Sequence, residues 1–270
     1  MHSLQDKVAI VTGGAGGIGA CIVRDFVKEG AKVTILDVDE QGGKNLVQEL
    51  SKQGKKVQFI RCDVSIEEHL LKAFESVIAR EGGINVVVNN AGIADESFEG
   101  FKKEIALNYT GVISSTIRVM EIMRKDRGGK GGTIINVSSI LGMKRYCPGL
   151  YVYGSIKNAL IHFGSSIGMK EYFTRTNVRV ITMCFGITNT GILENSKSFD
   201  DQIRREFEQR LQYALSRNAG QSAEDAAKGI VECYKNGESG STWLVHKGVI
   251  TDISNDVTKA YDILSEKVII

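Results

Sequence analysis

Proline is almost absent: Pro148 stands alone among 270 residues that include 30 glycines. That balance points to tight turns and close backbone approaches and excludes a disordered Pro/Gly-rich linker. Cysteine is sparse too. Cys21, Cys62, Cys147, Cys184 and Cys233 are scattered and never in Cys-x-x-Cys spacing. This excludes a disulfide framework or zinc site and fits reduced thiols. His2, His69, His162 and His246 fall in no ligand spacing, so no metal is expected. No apolar run approaches the ~18 residues a membrane span needs. A net charge of +2 creates no field toward nucleic acid or an anionic membrane. The most basic stretch, Arg124 to Lys130, contains Asp126 and reads as a solvated turn. A strand-like segment begins by Lys7, leaving no room for a signal peptide. The run Glu266-Lys267-Val268-Ile269-Ile270 matches neither a peroxisomal nor a prenylation signal, so a cytoplasmic protein is expected.

What is present is a rhythm. Apolar β-rich runs at Val8–Val11, Val33–Leu36, Val57–Ile60, Ile84–Val88, Thr133–Val137, Val178–Met183 and Thr242–Val245 alternate with longer amphipathic stretches. The helical stretches lie near 18–29, 41–53, 66–80, 100–125, 152–172 and 223–236. Runs such as Val-Ala-Ile-Val (8–11) are apolar on both faces, as strands buried between helix layers should be. The pattern predicts an α/β fold: one domain over 1–270, a doubly wound parallel sheet of about seven strands with helices on both faces. Residues 250–270 read as a C-terminal tail. Between the sixth and seventh strands, Ile203, Phe207, Leu211 and Leu215 recur every fourth position and mark a further helix. It either packs on the domain or belongs to a substrate lid spanning about 189–218, since such sheets bind ligands at the carboxyl ends of their strands.

After the first strand comes Thr12-Gly13-Gly14-Ala15-Gly16-Gly17-Ile18-Gly19, leading straight into a helix. Glycines there let the backbone turn tightly and approach a pyrophosphate, which the helix N-terminus then faces. Gly14, Gly16 and Gly19 satisfy Gly-x-Gly-x-x-Gly; Gly13, Gly17 and Gly19 satisfy Gly-x-x-x-Gly-x-Gly. The sequence leaves both open. Asp37 closes the second strand 18 residues beyond Gly19. A carboxylate there accepts hydrogen bonds from the adenosine ribose and repels a 2′-phosphate. Val38 carries no charge, and the loop lacks Arg and Lys, so the expected cofactor is NAD. Asp39 is the better candidate for capping the following helix.

Tyr153-Gly154-Ser155-Ile156-Lys157 places a phenol and an ammonium one helical turn apart on one face. A free tyrosine ionises near ~10, too high for a neutral-pH base, and a cation within about 4–6 Å lowers that value. Ser139 lies 14 positions before Tyr153 at the end of a strand-like run. Asn89-Asn90-Ala91-Gly92 follows the fourth strand, and Asn108 lies within a helix.

These elements, in this order and at these spacings, resemble the short-chain dehydrogenase/reductase family over about residues 5–250. The matching motifs are Thr12–Gly19, Asp63-Val64, Asn89–Gly92, Asn108, Ser139, Tyr153 and Lys157. Within it the chain is most similar to 15-hydroxyprostaglandin dehydrogenases and insect alcohol dehydrogenases. That likeness rests on the run from Gly128 to Ser139, on Gly111-Val112-Ile113-Ser114-Ser115-Thr116, and on Gly240-Ser241-Thr242-Trp243-Leu244-Val245. The resemblance implies a Rossmann-like fold and a division of labour. Tyr153 would be the base in oxidation and the acid in reduction, and Ser139 would hold the reacting oxygen. Lys157 would bind the nicotinamide ribose and lower the pKa of Tyr153, and Asn108 would hold a relay water. Thr12, Gly13, Gly17, Ile18 and Gly19 would hold the phosphates. Asp63, Val64 and Asn90 would line the adenine side, Ile187 and Thr188 would meet the nicotinamide carboxamide, and Ala91, Gly92 and Gly186 would also bind the cofactor. Leu150 and Tyr151 would contact substrate, together with Ser139 and Tyr153.

Two departures stand out. Phe185-Gly186 replaces the family's usual Pro-Gly, and Leu150 stands where prostaglandin dehydrogenases carry a substrate-binding Gln. An apolar or lipid-like secondary alcohol therefore fits at least as well as prostaglandin. The expected reaction is its oxidation to a ketone. The alternatives are a carbonyl reductase working in reverse and a non-catalytic carrier or storage member. Apolar residues on more than one face of 100–125 and 152–172 (Ile105, Leu107, Val112, Ile113; Leu160, Ile161, Phe163), with the resemblance, imply a homodimer or homotetramer.

Overall fold

The computed structural model describes residues 1–144, 149–194, 196–266 and 268. Cys147 and Pro148 lie outside them. The chain opens with β1 (Val8–Thr12), α1 (Gly17–Lys28), β2 (Lys32–Asp37), α2 (Glu40–Ser51), β3 (Val57–Arg61), α3 (Glu67–Glu81) and β4 (Val86–Asn89). There follow β5 (Asp95–Glu96), α4 (Phe101–Ile105), a π-turn (Ala106–Thr110), α5 (Gly111–Met123) and β6 (Gly132–Ser139). The second half runs through α6 (Tyr151–Ile167), α7 (Lys170–Thr176), β7 (Val178–Phe185), α8 (Gly191–Glu194), β8 (Lys197–Ser198) and α9 (Asp201–Ser216). It ends with α10 (Ala223–Asn236), β9 (Thr242–His246), β10 (Val249–Asp252) and α11 (Ser254–Ser265).

The main sheet runs β10-β9-β7-β6-β4-β1-β2-β3. All its pairings are parallel except β10 on β9. It has eight strands where the sequence pattern led us to expect about seven. The extra strand arises in the supposed tail, where Lys247 and Gly248 both adopt positive φ (52° and 74°) and turn the chain back so that Val249 pairs with His246. Separately, β5 and β8 form a two-stranded parallel ladder.

Strand residues alternate between two cores, and this is why the strands read as continuous apolar runs. Ala9, Val11, Val86 and Val88 pack with α1 and α10 through Ile22, Phe26, Ala227 and Ile230. Val8, Ile10 and Val87 face Leu70, Phe74, Val119 and Met120 of α3 and α5 on the other side. The expected long helix at 100–125 is divided by the π-turn, and the one at 152–172 ends at Ile167 before α7 restarts. Val112, Ile113, Ile156 and Leu160 pack together, so part of the second apolar face is covered within the chain. No helix among the described residues is long and apolar enough to cross a membrane.

The chain leaves β1 toward β2 and β3, then crosses to β4 on the other side of β1. Such a reversal opens a crevice at the carboxyl ends of the strands.

Candidate active site

The crevice is built on the two loops that diverge at that reversal. Thr12 Oγ1 accepts from the backbone N–H groups of Asn90 (3.0 Å) and Ala91 (3.1 Å). Asn90 Nδ2 donates back to the carbonyls of Thr12 (3.0 Å) and Gly13 (3.2 Å). Thr12 therefore lies beneath the loop, 2% exposed, and ties the floor together without facing the groove. The conformation decides between the two glycine readings. Gly13 and Gly17 have positive φ (64° and 51°), and a Cβ on Gly19 would collide with the Gly13 carbonyl. Gly16, by contrast, would accept a Cβ with nothing within 4 Å. Gly13, Gly17 and Gly19 are the positions the backbone requires. The α1 N-terminus carries no side-chain cap and no acidic residue in its first turn. Its orphan N–H groups suit an anion.

Along this groove lie Gly13, Gly17, Ile18, Gly19, Asp37, Asp63, Val64, Asn90, Ala91 and Gly92. Asp37 accepts from Ala15 N (2.9 Å) and Asp39 N (3.0 Å), so part of its capacity shapes the loop. Asp39 caps α2 by accepting from Gly42 N. Asp63 accepts from the backbone and hydroxyl of Ser65.

The groove continues into an apolar cavity, with Ile18, Asn90, Gly92, Thr190 and Ile192 shared between the two. Ser139, Tyr153, Lys157, Gly186, Ile187 and Thr188 line it. Ser139 ends β6, its hydroxyl accepts from Leu141 N (3.2 Å), and it shares the cavity lining with Tyr153. Lys157 is 3% exposed, donates through Nζ to the Val137 carbonyl (2.9 Å), and sits 5.3 Å from the Tyr153 ring centroid. Ser138 donates to the Lys157 carbonyl (2.7 Å) and so serves the helix, not the cavity centre.

The electrostatics differ from the sequence expectation. Burial pushes the Tyr153 phenol well above its ordinary value, Glu104 adds to the rise, and only the polar Ser139 side chain opposes it. Burial draws Lys157 down to about 8, against Cys184 and Glu104. Removal of water outweighs the attraction that the Tyr-x-x-x-Lys spacing suggested.

Asn108 lies in the π-turn, fully buried, and spends its carboxamide on Ile93, accepting from its N–H (2.9 Å) and donating to its carbonyl (2.7 Å). It holds the wall of the groove and does not line the cavity. Leu150 is buried with Ala94 and Phe207 behind the cavity. Tyr151 is 43% exposed and stacks on Phe199 outside it. Neither of these two expected substrate residues lines the cavity. From α9, Phe207 and Leu211 close its far side.

A family model for short chain dehydrogenases matches residues 7–201. The chain belongs to the short-chain dehydrogenase family.

It is 34% identical to human 15-hydroxyprostaglandin dehydrogenase [NAD(+)] over 197 residues, covering 72% of this chain and 73% of that one. It is 27% identical to alcohol dehydrogenase 2 of Ceratitis capitata over 256 residues, covering 94% and 96%. It is 35% identical to the 3-oxoacyl-[acyl-carrier-protein] reductase FabG of Chlamydia muridarum over 211 residues, covering 76% and 82%. The crystal structure of gox2181 superposes with a TM-score of 0.75 at 24% identity over 90% of this chain and 95% of that one. That last likeness concerns the fold alone.

Sequence reasoning missed several residues of this family member. Phe207 and Leu211 were legible only as a helix stripe. A buried network joins β4, β6 and α5: Asn89 donates to Asn136 (2.8 Å), and Ser115 donates to Asn89 (2.7 Å). Glu96 and Glu104 carry no motif at all, yet both are buried beside α6.

Proposed function

We propose that this short-chain dehydrogenase is an NAD-dependent alcohol dehydrogenase that oxidises an apolar or lipid-like secondary alcohol to a ketone. The observation that carries the reading is one cleft with Asp37 at its polar end and Ser139, Tyr153 and Lys157 together in its apolar end. The groove fits the cofactor: glycines without Cβ atoms beside an uncapped helix N-terminus suit a pyrophosphate. Asp37 suits a free ribose hydroxyl and opposes a 2′-phosphate. Bound there, NAD would supply the hydride acceptor.

The chain's own residues supply the rest. Ser139 would donate a hydrogen bond to the substrate oxygen and fix its position. Tyr153 as phenolate would take the alcohol proton, leaving that electron pair to form the carbonyl as hydride departs from carbon. The buried Lys157 ammonium would offset phenolate charge in a setting where water cannot. Ile140, Leu141, Phe207 and Leu211 would exclude water and favour an apolar substrate. Exposed Ile105 (37%) and Ile117 (46%) on α4 and α5 support association into a homodimer or homotetramer.

The test is a screen of aliphatic, steroid, isoprenoid and eicosanoid alcohols, following NADH absorbance. Tyr153→Phe should lower turnover by roughly 10²–10⁴, the usual contribution of a positioned acid or base, while NAD binding stays nearly intact. Full activity in that variant would overturn the assignment. Faster turnover of ketones with NADPH would support the reductase reading, and tight NAD binding without turnover of any alcohol the carrier reading.

A further inference from the structure

Two carboxylates that the proposed proton transfer does not use are buried beneath the catalytic helix. Glu96 and Glu104 are 1% and 0% exposed. Glu96 Oε1 accepts from the Tyr153 backbone N–H at 3.0 Å. Glu104 Oε2 accepts from Asp95 N at 2.8 Å. The second oxygen of each, Glu96 Oε2 and Glu104 Oε1, is buried without a hydrogen-bond partner. An unpartnered carboxylate oxygen in a protein interior is costly, and two neighbouring carboxylates cannot both stay ionised cheaply.

The surrounding charges do not resolve this. Asp95 on β5 is paired with Lys197 on β8 at 3.0 Å. On α4 itself, Lys102 lies over the Phe101 ring and Lys103 is drawn toward Asp63. From α6, Tyr153 and Lys157 face Glu104, and Lys157 is the cation that attracts it. The described residues hold no cluster of three or more His, Cys, Asp and Glu placed to bind a metal. A proton is the remaining neutraliser. Burial, with Glu96 and Asp95 adding, pushes Glu104 up to about 7.

We propose that Glu104 is a positioning residue whose buried charge, carried beside Glu96, sets how readily the Tyr153–Lys157 pair exchanges its proton. This rests on the dehydrogenase reading above. Ionised, Glu104 holds Lys157 as ammonium and opposes the phenolate of Tyr153; protonated, it does neither. Its effect reaches substrate only through those two side chains.

The experiment has an arm that needs no turnover. In lysine side-chain NMR of the wild-type protein, Lys157, assigned by its loss in Lys157→Met, should titrate near about 8, apart from surface lysines. In Glu104→Gln its midpoint should move to lower pH, and in Glu104→Asp it should return toward the wild-type position. In the second arm, both limbs of the pH profile of kcat/KM for alcohol oxidation should move to lower pH in Glu104→Gln. A merely structural role would lower the profile without moving it. Should Glu104→Gln not fold, infrared spectra of the wild-type protein decide: a buried protonated carboxyl band should titrate with a midpoint of about 7. An unmoved Lys157 midpoint, or no such band, overturns the proposal. If the wild-type protein oxidises no alcohol but the Lys157 midpoint moves in Glu104→Gln, the coupling is supported and the dehydrogenase reading is overturned instead.

Discussion

Replacing Glu104 by Gln should change how stability depends on pH, and the size follows from its burial. The glutamine oxygen can still accept from Asp95 N, and its amide N–H₂ offers a donor where Glu104 Oε1 has no partner. Gln thus imitates the protonated acid. The native carboxyl is held at about 7 against an ordinary 4.5. Between those values the native state keeps a proton that the unfolded chain has released. The stabilisation is therefore complete below 4.5 and is lost as pH climbs through about 7. At 1.36 kcal/mol per pH unit, the loss reaches about 3 kcal/mol. Glu104→Gln escapes it, so it should match the wild type near pH 4.5 and exceed it by up to about 3 kcal/mol at pH 8. For a chain of this size that is roughly 6 °C in Tm. Glu49, Glu121 and Asp126 are held low by arginine hydrogen bonds and act in the opposite direction at lower pH. They are common to both proteins and cancel in the comparison. Urea unfolding of both proteins at pH 5 and pH 8 measures the difference of differences. Parallel stability curves would refute the claim that Glu104 is a buried titrating acid.

Two further outcomes test the groove and the cavity. Gly16→Ala should retain NAD binding, since its Cβ meets nothing within 4 Å, whereas Gly19→Ala should lose it by driving the Gly13 carbonyl away, as calorimetry with NAD would show. Phe207→Leu should widen the cavity and move the kcat/KM ratio toward bulkier alcohols by on the order of tenfold, as competing substrates would report.

How much of this was legible depended on whether the signal was local. Val8–Thr12 and Val86–Asn89 are buried on both faces, so their apolar runs announced a covered parallel sheet directly. The loop from Gly13 to Gly19 announced its place because strand, glycines and helix follow one another without a gap. The hairpin after β9 did not: Lys247-Gly248 makes the turn with Lys in the left-handed region, and Val249–Asp252 is too short and exposed to show an alternating pattern. The π-turn left no periodic trace because it inserts within an otherwise helical run. The place of Tyr151 off the cavity lining was illegible for a similar reason. Its nearness in sequence to Tyr153 fixed a helix turn but not which side of that turn faces the cavity, and it stacks on Phe199 instead.

The buried acids were hidden in a different way: one of them completes a helix start that its local sequence leaves unfinished. Helices start with Ser, Thr, Asp or Asn where the chain must satisfy its own first N–H groups. Asp39, Asp200 and Ser222 do this for α2, α9 and α10; α6, with Leu150 at its N-cap, has no side-chain cap, like α1, α3, α7 and α11. Orphan N–H groups at a helix start inside a protein require an acceptor from elsewhere. The acceptor is Glu96, 57 residues earlier, on a two-residue strand that no periodicity could reveal. At this helix the missing cap is made good by a distant carboxylate. Once one carboxylate is fixed there, a second beside it must carry its proton or find a cation. That constraint is what links Glu104 to Lys157 and Tyr153.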